Sequence, residues 1–156
     1  MTVILCFGNE WHGDDGFGYA VYNQLNQTNL PISTELHYCA TNSLLATRLI
    51  NDASRLILVD AYQADRQDIG KLKWFSKNQF QSSYARNLHD GGVEDLIKHC
   101  DILFDSQMLE IDVLTVMIDK VTAFSEKLSP VIEERVPEAC NEIIARLNQE
   151  PNYASS

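Results

Sequence analysis

An apolar run, Val3-Ile4-Leu5-Cys6-Phe7, passes directly into Gly8-Asn9-Glu10-Trp11-His12-Gly13-Asp14-Asp15-Gly16-Phe17-Gly18. A strand that hands over to a helix through such a turn points to an open α/β architecture, where ligands gather at the carboxyl ends of the strands. A plain turn needs one glycine. This one holds four, together with two adjacent acids, so it is the first candidate for a functional site.

The rest of the chain repeats the alternation. Phe17, Val21 and Leu25 recur every fourth residue, which predicts a helix from about Asp15 to Gln27. A second strand is expected over 32–39. A helix over 43–50 follows, with Ser43 as its cap and Leu45, Leu49 and Ile50 inward. Leu56-Ile57-Leu58-Val59 is continuously apolar and ends at Asp60, as suits a strand covered on both faces. The short stretch to Lys71-Leu72-Lys73-Trp74-Phe75 predicts an antiparallel edge strand, its lysines guarding the edge. Residues 76–90 read as a long irregular segment, and Val93, Leu96 and Ile97 as the inner face of a helix. Val113–Ile118 is a last strand, and Ser129-Pro130 opens a final helix that Pro137 is expected to kink. The pattern predicts a three-layer α/β/α sandwich around a mostly parallel, twisted sheet of about five strands. One domain over 1–149 and a loose tail over 150–156 complete it.

Charge narrows the function. Twelve Lys and Arg stand against 22 Asp and Glu, a net charge of −10 with no basic block. Nucleic acid and anionic membranes are therefore excluded as expected partners, because both need clustered cations. No apolar stretch is long enough to span a bilayer, and the start lacks an export signal. Cys6, Cys39, Cys100 and Cys140 are scattered singly, with no Cys-x-x-Cys. They read as small buried residues in a reducing cytoplasm.

Three groups remain just beyond predicted elements: Asp15 after the first strand, Asp60 after the third, and His89 before a helix. Two carboxylates and an imidazole suit a divalent first-row metal with open positions for water or substrate. Each also has an ordinary reading. Asp15 fits a helix start, Asp60 fits a turn, and His89 fits a polar loop. The glycines resemble a phosphate loop only loosely. They match neither Gly-x-Gly-x-x-Gly nor a P-loop, and the paired acids would repel phosphate.

The string Gly8-Asn9…Gly13-Asp14-Asp15-Gly16-Phe17-Gly18 resembles the opening signature of the [NiFe]-hydrogenase maturation endopeptidases. Leu58-Val59-Asp60-Ala61, Leu88-His89-Asp90 and Leu128-Ser129-Pro130 with Val136-Pro137-Glu138-Ala139 resemble three further segments of that family, in order. The resemblance implies an α/β/α protease that removes the C-terminal extension of a hydrogenase large-subunit precursor once nickel is inserted. It implies Asp15, Asp60 and His89 as metal contacts and nickel brought by the precursor. Asp15 and Asp60 are then the catalytic residues, either by holding a metal that activates water or with one of them acting as general base, and Asn9, Thr41 and Asn42 face the substrate. The chain departs from the family at Ala40-Thr41-Asn42-Ser43, where a Gly-Thr segment is usual, and at Glu10-Trp11-His12, where small or aliphatic residues are usual. Two other readings stand beside the protease. One is a checkpoint or chaperone that binds the nickel-loaded precursor without cutting it. The other is an unrelated metal-dependent hydrolase on the same fold.

Overall fold

The computed structural model describes residues 1–50, 52–84, 92–104, 108–121 and 124–149. Its five strands are β1 (Thr2–Phe7), β2 (Thr34–Ala40), β3 (Arg55–Gln63), β4 (Leu72–Ser76) and β5 (Glu110–Ile118), in the spatial order β2-β1-β3-β5-β4. All pairs are parallel except β4 with β5, so β4 is the antiparallel edge strand that its short connection predicts. The helices are α1 (Phe17–Asn26), α2 (Ser43–Leu49), α3 (Lys77–Tyr84), α4 (Val93–Leu103), α5 (Pro130–Glu133) and α6 (Arg135–Leu147).

Alternation along the strands sorts the core into two layers. Val3, Leu5, Leu56, Leu58 and Val113 pack under α2, α3 and α4 with Ala46, Phe80, Leu96 and Ile97. Ile4, Cys6, Ile57, Val59, Leu114 and Val116 pack under α1, α5 and α6 with Phe17, Val21, Ile132, Ala139 and Ile143. Burying both faces of a parallel sheet is what the continuous apolar strands require. All four cysteines are buried and free. At the amino edge of the sheet, buried Arg55 donates to the Arg146 carbonyl at 2.9 Å and lies 3.5 Å from Asp112. This fastens the end of α6 well away from the opposite, functional edge.

Four local expectations change. First, β3 does not end at Asp60. The pairs Asp60↔Thr115 through Gln63↔Ile118 carry it on beside β5 after its pairing with β1 has stopped at Cys6↔Val59. Second, Ser43 is not the cap of α2. Asn42 Oδ1 accepts the Leu45 N–H at 3.0 Å, and this turns Leu45 outward while Ser43 and Ala46 face in. Third, 77–84 is helical. Ser76 Oγ accepts from Gln79 N, and Gln79 Oε1 accepts from Ser76 N at 2.9 Å, a reciprocal capping box. Fourth, the final helix breaks at Glu134 and not at Pro137. Pro137 has no N–H for the Glu133 carbonyl and its ring crowds it, so the disruption falls a turn upstream. Ser129 stands at the N-cap position of α5, yet its hydroxyl is engaged elsewhere.

Candidate functional site

The site grows from the point where β1 leaves the sheet. Gly8 has φ +126°, and its N–H donates to the Ala40 carbonyl at 2.8 Å. A side chain there would put Cβ 2.1 Å from the Asp15 carbonyl oxygen. Only glycine lets the turn fold back this tightly. Gly18 makes a similar approach, its notional Cβ falling 2.0 Å from the Phe7 carbonyl, so α1 starts directly against β1. The first turn, Gly13–Gly16, is a 3₁₀ turn and α1 proper begins at Phe17, slightly later than the periodicity suggests.

Within this turn the two acids separate. Asp15 points inward, where its Oδ2 accepts the Asn9 N–H at 2.9 Å. Asp14 points to the C-terminal segment. It accepts from Ser129 N at 2.6 Å and from Ser129 Oγ at 2.8 Å, across 115 residues. Gly13 N donates to the Ser125 carbonyl at 2.7 Å beside this clamp.

Asp60 is the first residue of β3 beyond its pairing with β1. Its Oδ1 accepts the Ala61 N–H at 2.8 Å and lies 3.7 Å from where a Gly8 Cβ would stand. Burial, reinforced by the negative charge of Asp15 and then of Glu94, holds its carboxyl well above the ordinary aspartate range; the Ala61 N–H opposes this. Two carboxylates that resist sharing negative charge are a natural seat for a cation. The structure brings Asp15 and Asp60 together from segments 45 residues apart in the chain.

His89, the third expected ligand, lies outside the described residues. The helix that follows it, α4, packs on the face toward which strand alternation directs Asp60, and Glu94 in its first turn is near enough to act on Asp60. Among the described residues no group of three His, Cys, Asp or Glu is assembled for a metal. The two carboxylates fit a divalent ion as oxygen donors and still need further ligands. His37 is taken up in an exposed pair with Glu35 at 3.2 Å.

The three substrate-facing candidates sit on the rim. Asn9 Oδ1 accepts from Trp11 N at 3.0 Å, and Asn42 Oδ1 is the α2 cap, so both amide oxygens are engaged in local turns. Thr41 is exposed. Sequence reasoning missed Tyr38. Its hydroxyl donates to the Gly8 carbonyl at 2.6 Å, and burial together with the charge of Glu10 pushes its pKa up to about 12. The period-two alternation of β2 with Leu36 was its available signal. Around the same edge Trp11, Leu44, Leu45 and Phe124 are exposed, an apolar border to an acidic centre.

With this geometry in place, comparisons give a consistent result. The profile of a family described as hydrogenase maturation protease matches residues 22–146. That match includes Asp60 and His89 and begins after Asp15. A protein of Methanocaldococcus jannaschii assigned to the hydrogenase maturation proteases is 28% identical over 115 residues, which cover 64% of this chain and 74% of that one. The hydrogenase maturating endopeptidase HybD of E. coli superposes with a TM-score of 0.80 at 18% identity, covering 94% of this chain and 91% of its own. The [NiFe] hydrogenase maturation protease HybD of Thermococcus kodakarensis gives 0.77 at 20% identity, over 95% and 99%.

Proposed function

The chain belongs to the hydrogenase maturation protease family, and from that premise we propose that it removes the C-terminal extension of a nickel-loaded [NiFe]-hydrogenase large-subunit precursor. The observation that carries this reading is the pairing of Asp15 with Asp60 at the carboxyl edge of the sheet, both closing on Gly8. Two oxygen donors, with His89 as the proposed third ligand, hold nickel weakly on their own. Nickel carried by the precursor arrives with its own ligands and completes the set. A precursor without nickel gains nothing from the site, so the metal gates docking by differential affinity.

The chain's own residues supply the remaining chemistry. The Asn9 N–H fixes the Asp15 carboxylate in one orientation. In its ionised form the Asp60 carboxylate, made more basic by burial and by the charge of Asp15, is suited to take a proton from the attacking water and return it to the leaving amine. Substrate-borne nickel adds Lewis acidity at the water or the scissile carbonyl. The exposed Trp11, Leu44, Leu45 and Phe124 suit a polypeptide partner better than a small polar molecule. Since Asn9 and Asn42 use their amide oxygens locally, their contact with substrate would run through amide N–H groups, beside the Thr41 hydroxyl.

Asp60→Asn tests the reading. Asparagine keeps the shape and an acceptor for Ala61 N–H, so the fold is retained by circular dichroism. Cleavage of nickel-loaded precursor should fall about 100-fold or more, the usual range for a lost general base. A variant that cuts at the wild-type rate sinks the assignment, whether Asp60 acts as ligand or as base.

A further inference from the structure

A cavity of about 540 Å³ opens beside the catalytic turn, within the size range of ligand clefts (roughly 300–1,000 Å³). One wall is α1, through Tyr19 and Asn23. The other is the segment from Glu126 to Glu133. Glu10 and Gly16 form the end nearest the catalytic centre, and Gly16 directly follows Asp15. The groove is preformed. Its second wall is locked to the catalytic turn by both Asp14–Ser129 hydrogen bonds and by Gly13 N to the Ser125 carbonyl. Three carboxylates, Glu10, Glu126 and Glu133, face it against one ammonium, that of Lys127. Among the described residues none of these four charges is in a salt bridge. The groove therefore starts beside Gly16, one residue past Asp15, and carries surplus negative charge that no described residue pairs in a salt bridge.

We propose that this groove seats the precursor's C-terminal extension, through Lys or Arg side chains of that extension set between Glu10, Glu126 and Glu133. The proposal rests on the proteolytic reading above and adds the place and chemistry of recognition. The choice of the extension follows from size and position. The metal-bearing body of the precursor must cover Asp15 and Asp60, and a folded body does not enter a groove of about 540 Å³. The segment to be removed is the part presented as extended chain. Its cationic side chains match the groove, and the match is electrostatic, so salt weakens it.

The test measures the Kd of nickel-loaded precursor and, separately, its cleavage. The variants are Glu126→Gln/Glu133→Gln in the enzyme and Lys/Arg→Gln in the extension. Both glutamates are exposed, so the fold tolerates the change. Glu35→Gln/Asp52→Asn removes equal charge at the far edge as a control. Each groove-directed change should weaken binding about tenfold at 50 mM salt, and the two together no more than one alone. The loss should shrink at 0.5 M salt, and the control should bind as wild type. Wild-type affinity in the Glu126/Glu133 variant, additive effects of the two changes, or an equal loss in the control would each overturn the groove. Wild-type enzyme that binds the precursor in this charge-dependent way but never cuts it would overturn the proteolytic reading and leave the groove standing. Wild-type enzyme that neither binds nor cuts would overturn both.

Discussion

At the end of β1, two adjacent aspartates and two small residues set the geometry of the site. Asp15 turns toward Asp60, while Asp14 holds Ser129. The sequence singles out Asp15 but gives Asp14 no role beyond a helix-start charge, because the partner of Asp14 is 115 residues away. The departure at Ala40 also acquires a physical meaning. Ala40 has φ +51°, a left-handed conformation, at the position where the family resemblance leads one to expect glycine. The missing glycine is therefore a backbone matter, whatever it also does for substrate. Ala40→Gly should relieve the strain and raise stability by about 1 kcal/mol. Gly8→Ala should do the opposite. At φ +126° and with 2.1 Å to the Asp15 carbonyl, it should cost about 3 kcal/mol and displace Asp15. Urea midpoints of the two variants should move in opposite directions from wild type. Equal midpoints would remove strain from the account.

At the scale of elements, periodicity locates strands and amphipathic helices and misplaces what depends on neighbours. β3 outruns its apolar stretch because β5 continues to pair with it, a fact held by another strand. Among its described side chains α3 has one buried apolar anchor, Phe80; the Ser76-x-x-Gln79 capping box was its legible sign. The helix break at Glu134 is also legible once Pro137 is read through the carbonyl it crowds. β2 is joined to the turn that carries Asp15 by the Tyr38 hydroxyl on the Gly8 carbonyl. Its pKa is raised from 10 to about 12, so the folded state retains this proton longer than the unfolded chain does. The stability it contributes is complete below pH 10 and is lost as pH rises toward 12. Tyr38→Phe should be less stable at pH 8 and should lack that part of the alkaline decline. A pH series of denaturation curves with parallel slopes in both proteins would contradict this.

For the whole molecule, the order β2-β1-β3-β5-β4 explains why the site lies where it does. The chain leaves β1 toward β2 on one side, while β3 and its neighbours extend on the other. The crevice at that reversal collects Asp15 and Asp60, as expected of open α/β sheets. The alternation of elements makes this architecture readable from sequence, and the paired acids make its edge readable. The groove beside α1 is not readable, because its second wall comes from the far end of the chain and is fixed there by Asp14. Net charge gives only a general bias toward basic partners. On the proposed reading, the enzyme is incomplete until its substrate supplies metal. The most direct test incubates the wild-type protein with the same large-subunit precursor, nickel-loaded and nickel-free, and weighs the products by mass spectrometry. The account predicts loss of the C-terminal extension from the nickel-loaded precursor alone. Equal shortening of both forms, or of neither, would contradict it.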